Sequence, residues 1–325
     1  MKIIGTGSAL PAMSVTNDML ANFLDTDDKW ITTRTGIKQR RLISSNESLT
    51  DLACKAANNA LEAAGCKADE MDFIICSNVA NNFVTPALSC LVQGNIGATC
   101  PCVDLNGACA GFIYALNIAD AFLQSGKAKK IMIVCAEEPS KFCNWQERNT
   151  SILFGDGAGA VVIERGEGLK SIRLTASPKK DVLYYQRKLE HTPFEGVAEQ
   201  NTPLVMQGKD VFKLAVRSSI DDLNHVLKDA EITPSDIGHY LLHQANMRII
   251  EAIRSYLEQP EEKFPSNIDK YGNTSSASIP ILMDEMARGG HLQDGELIAL
   301  SAFGAGFVTG ACVIKWSDIP AYHKN

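Results

Sequence analysis

The stretch Val103-Asp-Leu-Asn-Gly-Ala-Cys-Ala-Gly-Phe112 passes from a short apolar run into a patterned helix, with Cys109 at the junction. Gly107 and Ala108 precede the sulfur, and Ala110 and Gly111 follow it. Apolar residues then recur at Phe112, Ala115, Leu116, Ala119, Phe122 and Leu123, the spacing of one buried helical face. Gly126 and Lys127 supply a stop signal and a cation at the helix's negative end. A thiol at a helix start meets unpaired N–H groups and the positive end of the dipole, which favour thiolate over thiol. Small neighbours leave room for an acyl group. A nucleophile and a buried structural thiol both suit such a place.

Working outward from this junction, the two halves of the chain resemble each other. Residues 68–77 pair with 234–243, each a polar turn leading into an apolar strand. Residues 103–107 before Cys109 pair with 268–272 before Asn273, 130–135 with 296–301, and 159–163 with 310–314. Four matches in one order indicate a duplicated α/β unit. Helices are expected at Leu49–Ala64, Gly111–Gln124, Val211–Leu227, Met247–Leu257 and Ser278–Ala287, alternating with strands. Runs such as Ile131–Val134 lack alternation, as parallel strands covered on both faces do. The expected architecture is α/β, two such units stacked as five layers, α/β/α/β/α. The halves are residues 1–167, carrying the cysteine, and 168–325, with the join near the glycine- and charge-rich Arg165–Lys170. Ligands gather at the carboxyl ends of strands in such folds, so duplication brings Cys109, His243 and Asn273 towards one cleft.

Composition narrows the function classes. With 325 residues and 45% hydrophobic content the chain can bury a large core. A net charge of −7 argues against nucleic-acid binding by bulk charge. The other nine cysteines form no Cys-x-x-Cys and no zinc spacing. Unpaired thiols behind a start without a secretory leader point to the cytoplasm, and no disulfide is expected. Residues 297–314 are uncharged and hold Gly306-Phe-Val-Thr-Gly310, which a hydropathy window would read as a membrane span. The glycines and Thr309 favour two core strands instead, Leu297–Ala302 and Gly310–Lys315. Gly5-Thr-Gly7 and Gly155-Asp-Gly-Ala-Gly159 lack the dinucleotide fingerprint and read as close backbone packing.

Seven motifs together resemble β-ketoacyl-acyl carrier protein synthase III, a family of the thiolase-like fold. They are Ile3–Ser8, Trp30–Ile37, Gly107–Phe112, Phe154–Gly159, His243-Gln-Ala-Asn246, Gly272-Asn-Thr-Ser275 and Phe303-Gly-Ala-Gly-Phe307. The resemblance runs from residue 3 to about residue 315. It implies that Cys109 takes an acyl group from acyl-CoA, with the N–H groups of Cys109 and Gly306 as oxyanion hole. His243 and Asn273 would then stabilise the enolate formed as malonyl-acyl carrier protein loses carbon dioxide. No metal or redox cofactor is implied.

The family pattern also matches Trp30, Arg34, Arg148, Gly208, Phe212 and Asn246 to CoA binding. Lys209, Lys213 and Arg217 recur every four residues, and with Arg248 and Arg254 they would suit an acidic carrier protein. Ser255 and Tyr256 stand where the best-known bacterial pattern has two lysines. Thr85 and Phe303 match the acyl pocket. Thr85 falls where the loop reaches the partner subunit of a homodimer, and acetyl-preferring members have phenylalanine there, so a longer or branched primer is expected. Related condensing enzymes of secondary metabolism keep the same Cys-His-Asn set, and a non-catalytic carrier-binding member is the third reading. The resemblance gives no reason to expect nucleic-acid or membrane partners.

Overall fold

The computed structural model describes residues 1–79, 81–186 and 203–323. Strand β1 (Lys2–Ala9) opens the first half, followed by helices α1 (Asp28–Thr35) and α2 (Leu49–Ala64). Then come β2 (Phe73–Ser77), α3 (Leu88–Ile96), β3 (Cys102–Leu105), α4 (Gly111–Gln124), β4 (Lys130–Glu137) and β5 (Gly157–Glu164). The second half begins with β6 (Leu169–Ala176) and α5 (Gly208–Asp229). It continues through β7 (His239–Leu242), α6 (Met247–Leu257), α7 (Ser278–Arg288), β8 (Leu297–Gly304) and β9 (Val308–Lys315).

These strands form two main sheets, in the orders β1-β5-β4-β2-β3 and β6-β9-β8-β7. The duplication shows in the pairings. In each sheet the first three strands are antiparallel neighbours and the next pair is parallel. The second sheet has no counterpart of β3. Residues 268–271, which resemble 103–106, form a short helix instead, and a single parallel bridge joins Phe154 to Asn273. Helices α4 and α7 lie between the sheets, α2 covers the outer face of the first, and α5 covers the outer face of the second. This is the five-layer α/β/α/β/α arrangement of the thiolase-like fold.

Local chemistry explains the placement. Ser48 caps α2 in a reciprocal box with Asp51, and Gly65 ends the helix at φ +62. Its buried face is mostly alanine (Ala53, Ala56, Ala57 and Ala60), so β1 approaches closely. A Cβ on Gly7 would lie 2.3 Å from the Ala56 carbonyl oxygen and 2.4 Å from the Ala60 nitrogen. The apolar segment 297–314 forms two antiparallel strands, longer than expected because pairing continues through Phe303–Thr309 to Gly304–Val308. No helix among the described residues is long and apolar enough to cross a membrane.

Gly7→Ala sets a methyl group against helix backbone. We expect a loss of about 2 kcal/mol in urea unfolding. An unchanged midpoint would show that β1 and α2 separate without cost.

Candidate active site

Cys109 occupies the middle of a short 3₁₀ turn, Ala108–Ala110, that runs directly into α4. Ala108 adopts φ +45, which an alanine rarely holds, and so turns the sulfur out of the strand direction. Two glycines make the seat possible. A Cβ on Gly111 would fall 2.0 Å from Ser77 Oγ, and one on Gly304 would fall 2.6 Å from the Cys109 nitrogen.

Cys109, half-buried as a residue, lines a cavity of about 860 Å³ walled by both halves of the chain. Its floor holds Cys109, His243, Asn273, Phe303 and Gly304, and its mouth holds Trp30, Arg34, Arg148, Phe212 and Arg248. His243 follows β7 and is 2% exposed, its backbone N–H bonded to Ser301 O at 2.9 Å. Its Nδ1 lies 2.7 Å from Ser278 Oγ, and its ring meets Phe303 edge-on at 5.3 Å. Burial pushes the imidazole down to about 3, so it is neutral at physiological pH. When Ser278 donates to Nδ1, the ring proton sits on Nε2.

Asn273 is set by its own backbone, which bonds Leu153 O through N–H and accepts from Gly155 N–H. The buried Arg40 steadies that neighbourhood, donating to Ile152 O at 2.7 Å and to Asn17 Oδ1 at 2.8 Å. Asn273 Oδ1 accepts from Ser275 N–H at 2.9 Å, which leaves the side-chain NH2 to donate.

Charge at the sulfur differs from expectation. The helix start is present, yet burial pushes the Cys109 thiol up to about 12. A hydrogen bond from Ser275 opposes that rise, and the charge of Glu137 adds to it. Desolvation is the largest of these effects and favours the thiol. The glycine loop also differs. Gly304, not Gly306, abuts Cys109 and lines the cavity. Gly306, at φ +140, turns its carbonyl to Lys179 N–H at 2.8 Å.

At the mouth, the Arg34 and Arg148 guanidinium groups stack on Trp30 at 4.6 and 4.5 Å, and Arg148 also donates to Asp25 O. Asn246 caps α6 through Arg248 N–H and donates to Arg34 O, tying the two rims together. Gly208, Lys209 and Lys213 line the same opening from α5. Arg217 lies one turn further along and pairs with Asp221, while Arg254 is held by Glu251 at 2.8 Å. Thr85 is exposed and is not among the residues that line its own chain's cavity. Among the described residues no group of three His, Cys, Asp or Glu is placed to hold a metal. Glu137, Ser276 and Ser278 carried no distinguishing signal in the sequence, and Ser275 and Gly304 were visible only as members of motifs.

A duplicated thiolase-like fold whose central cleft joins a cysteine, a neutral histidine and an asparagine defines a condensing acyltransferase. Family models for 3-oxoacyl-[acyl-carrier-protein] synthase III match residues 103–178, and its C-terminal part matches residues 227–316. The chain belongs to this family. It is 42% identical to the β-ketoacyl-[acyl-carrier-protein] synthase III of Clostridium novyi, over 98% of this chain and 99% of that one. The enzyme of that name from Xanthomonas axonopodis pv. citri is 40% identical over 97% and 98%. The crystal structure of 3-oxoacyl-[acyl-carrier-protein] synthase III from Aquifex aeolicus superposes with a TM-score of 0.90 at 41% identity, covering 97% of this chain and 99% of that one.

Gly304→Ala drives a methyl group into the Cys109 backbone. The variant should fold and lose roughly 100-fold in Cys109 acylation rate, since a small misplacement costs about that much. Wild-type acylation would show that the close approach is dispensable.

Proposed function

We propose that this chain performs the decarboxylative condensation that initiates type II fatty acid synthesis, joining an acyl-CoA primer to malonyl-acyl carrier protein. The observation that carries this reading is the convergence of Cys109, His243 and Asn273 on one cavity whose mouth is rimmed by Trp30 and arginines. Cys109 attacks the thioester carbonyl of the primer, whose oxygen settles at the Cys109 N–H beside the Gly304 loop. As second residue of its turn, Cys109 has no turn carbonyl to receive that N–H. CoA leaves through the mouth. Adenine displaces Arg148 from Trp30 and takes its place in the stack, while arginines meet the phosphates.

The malonyl thioester then enters the emptied channel. Nε2–H of His243 and the amide of Asn273 donate to its carbonyl oxygen, where negative charge grows as carbon dioxide departs. A neutral imidazole donates without drawing a proton from solvent. The resulting carbanion attacks acyl-Cys109 and releases the 3-oxoacyl product on its carrier. This chemistry calls for no metal or redox group. Lys209, Lys213 and Arg248 are exposed around the opening and would receive the acidic carrier. Arg217 and Arg254 already have acidic partners on their own helices and contribute less.

The working unit is read as a homodimer. Strand β3 is the open edge of the first sheet, with Val103 44% exposed, and the neighbouring loop exposes Phe83 at 55% and Val84 at 72%. Pairing two copies there would carry Thr85 towards the partner's acyl pocket, at whose inner end Phe303 stands. A threonine leaves more room than an aromatic ring, so the primer is longer or more branched than acetyl. The free cysteines fit a cytoplasmic enzyme.

Intact-protein mass after incubation with acetyl-, isobutyryl- and hexanoyl-CoA tests the nucleophile. A gain of one acyl group is expected in the wild type, largest for the longer chains, and none in Cys109→Ala. No gain with any acyl-CoA removes the CoA-primed reading. Asn273→Ala should load normally and lose about 100- to 1,000-fold in condensation. Equal damage to both steps would contradict the role given to Asn273.

A further inference from the structure

Behind the nucleophile lies a carboxyl group that the reaction as described does not use. Glu137 ends β4 and is 1% exposed. No cation pairs with it among the described residues. Its Oε2 accepts from Val79 N–H at 3.0 Å, and its Oε1 accepts from Ser276 Oγ at 2.6 Å. Ser275 Oγ stands between it and the sulfur, 3.2 Å from Glu137 Oε1 and 3.3 Å from Cys109 Sγ. Ser275 holds this place at φ +52, a conformation serine adopts at a cost.

One hydroxyl has one proton. Ser275 can give it to the carboxylate and accept from the thiol, or give it to the sulfur, but not both. The first arrangement is a continuous donor chain from Cys109 to Glu137. We infer that Glu137, acting through Ser275, takes the proton of Cys109 as the thiol attacks and holds it while the enzyme is acylated. The inference rests on Cys109 being the nucleophile.

The protons balance. The S–H bond breaks as its proton passes to Ser275 Oγ, and the Ser275 proton passes to Glu137 Oε1. Sulfur forms its bond to the acyl carbon and the bond to the CoA sulfur breaks, the CoA thiolate taking a proton from water at the mouth. After condensation the Cys109 thiolate is the leaving group, and the proton returns to it from Glu137 through Ser275. The seam thus never holds a thiolate beside a carboxylate: it is neutral while the acyl group is on Cys109 and regains its one negative charge when the proton returns. Burial raises the carboxyl to about 7, with Ser276, Val79 N–H and Ser275 pulling it back. It can therefore both accept and return a proton near neutrality. The titratable groups facing it are the thiols of Cys109 and, on its own strand, Cys135, both of which its charge pushes up.

The test is the single-turnover rate of Cys109 acylation against pH, read by mass, in wild type, Glu137→Gln and Ser275→Ala. CoA affinity and thermal unfolding are measured alongside to show an intact cavity. In the wild type the rate should rise with pH through about 7. Both variants should lose that rise and fall roughly 100-fold or more at pH 7.5, with CoA affinity unchanged. A folded variant that keeps the wild-type profile would overturn the relay and leave the nucleophile standing. A wild type that never acylates would instead remove the nucleophile itself.

Discussion

Burial at the seam between the two sheets shifts the charge of the groups gathered there, with His243 2% and Glu137 1% exposed. His243 is neutral because no solvent supports its cation. The Cys109 thiol is raised chiefly by burial. Glu137 lies near neutrality because three hydrogen bonds recover part of what desolvation takes away. His243 and Cys109 therefore begin uncharged beside a Glu137 carboxyl that can gain or lose a proton near neutrality. Preorganised donors in such a place are worth more than the same donors in water.

Duplication provides the seam. Helices α4 and α7, one from each half, share a single hydrophobic core between the sheets. The halves have diverged where the chemistry needs asymmetry. One supplies the sulfur on its strand-to-helix turn. The other has lost the fifth strand, and the irregular segment in its place carries Asn273 and Ser275. Small residues let the layers close, since Gly7, Gly111 and Gly304 all lie where a single methyl group would strike backbone or a fixed side chain.

Much of this was legible in the sequence, for physical reasons. The period of α4 and the covered strands announce themselves in local hydrophobic pattern, and matched segments in fixed order reveal duplication. Cys109 and His243 follow strands, and Asn273 holds the place that the repeat matches to Cys109, where a duplicated α/β fold gathers ligands. The shift of the Cys109 thiol was not legible, because it depends first on burial and then on Ser275 and Glu137, which arrive from other elements. Nor could the run Phe303-Gly-Ala-Gly306 say which glycine touches the sulfur's backbone. Only the chain path does, and it selects Gly304. The segment 268–272 looked like its counterpart yet forms a short helix, its N–H groups taken up by Asn267 O and Ile268 O, and the one strand-like bridge falls just after it, at Asn273.

The most direct test of a dry, proton-sharing seam is the ionisation of Cys109 in the free enzyme. Ultraviolet thiolate absorbance is recorded across a pH titration as the difference between wild type and Cys109→Ala. The account predicts no Cys109 thiolate at about pH 8.5, where an ordinary cysteine is half ionised. A midpoint below about 7.5, in the range of thiols activated by a helix end, would contradict it. That result would place the driving force in the helix dipole rather than in burial and Glu137.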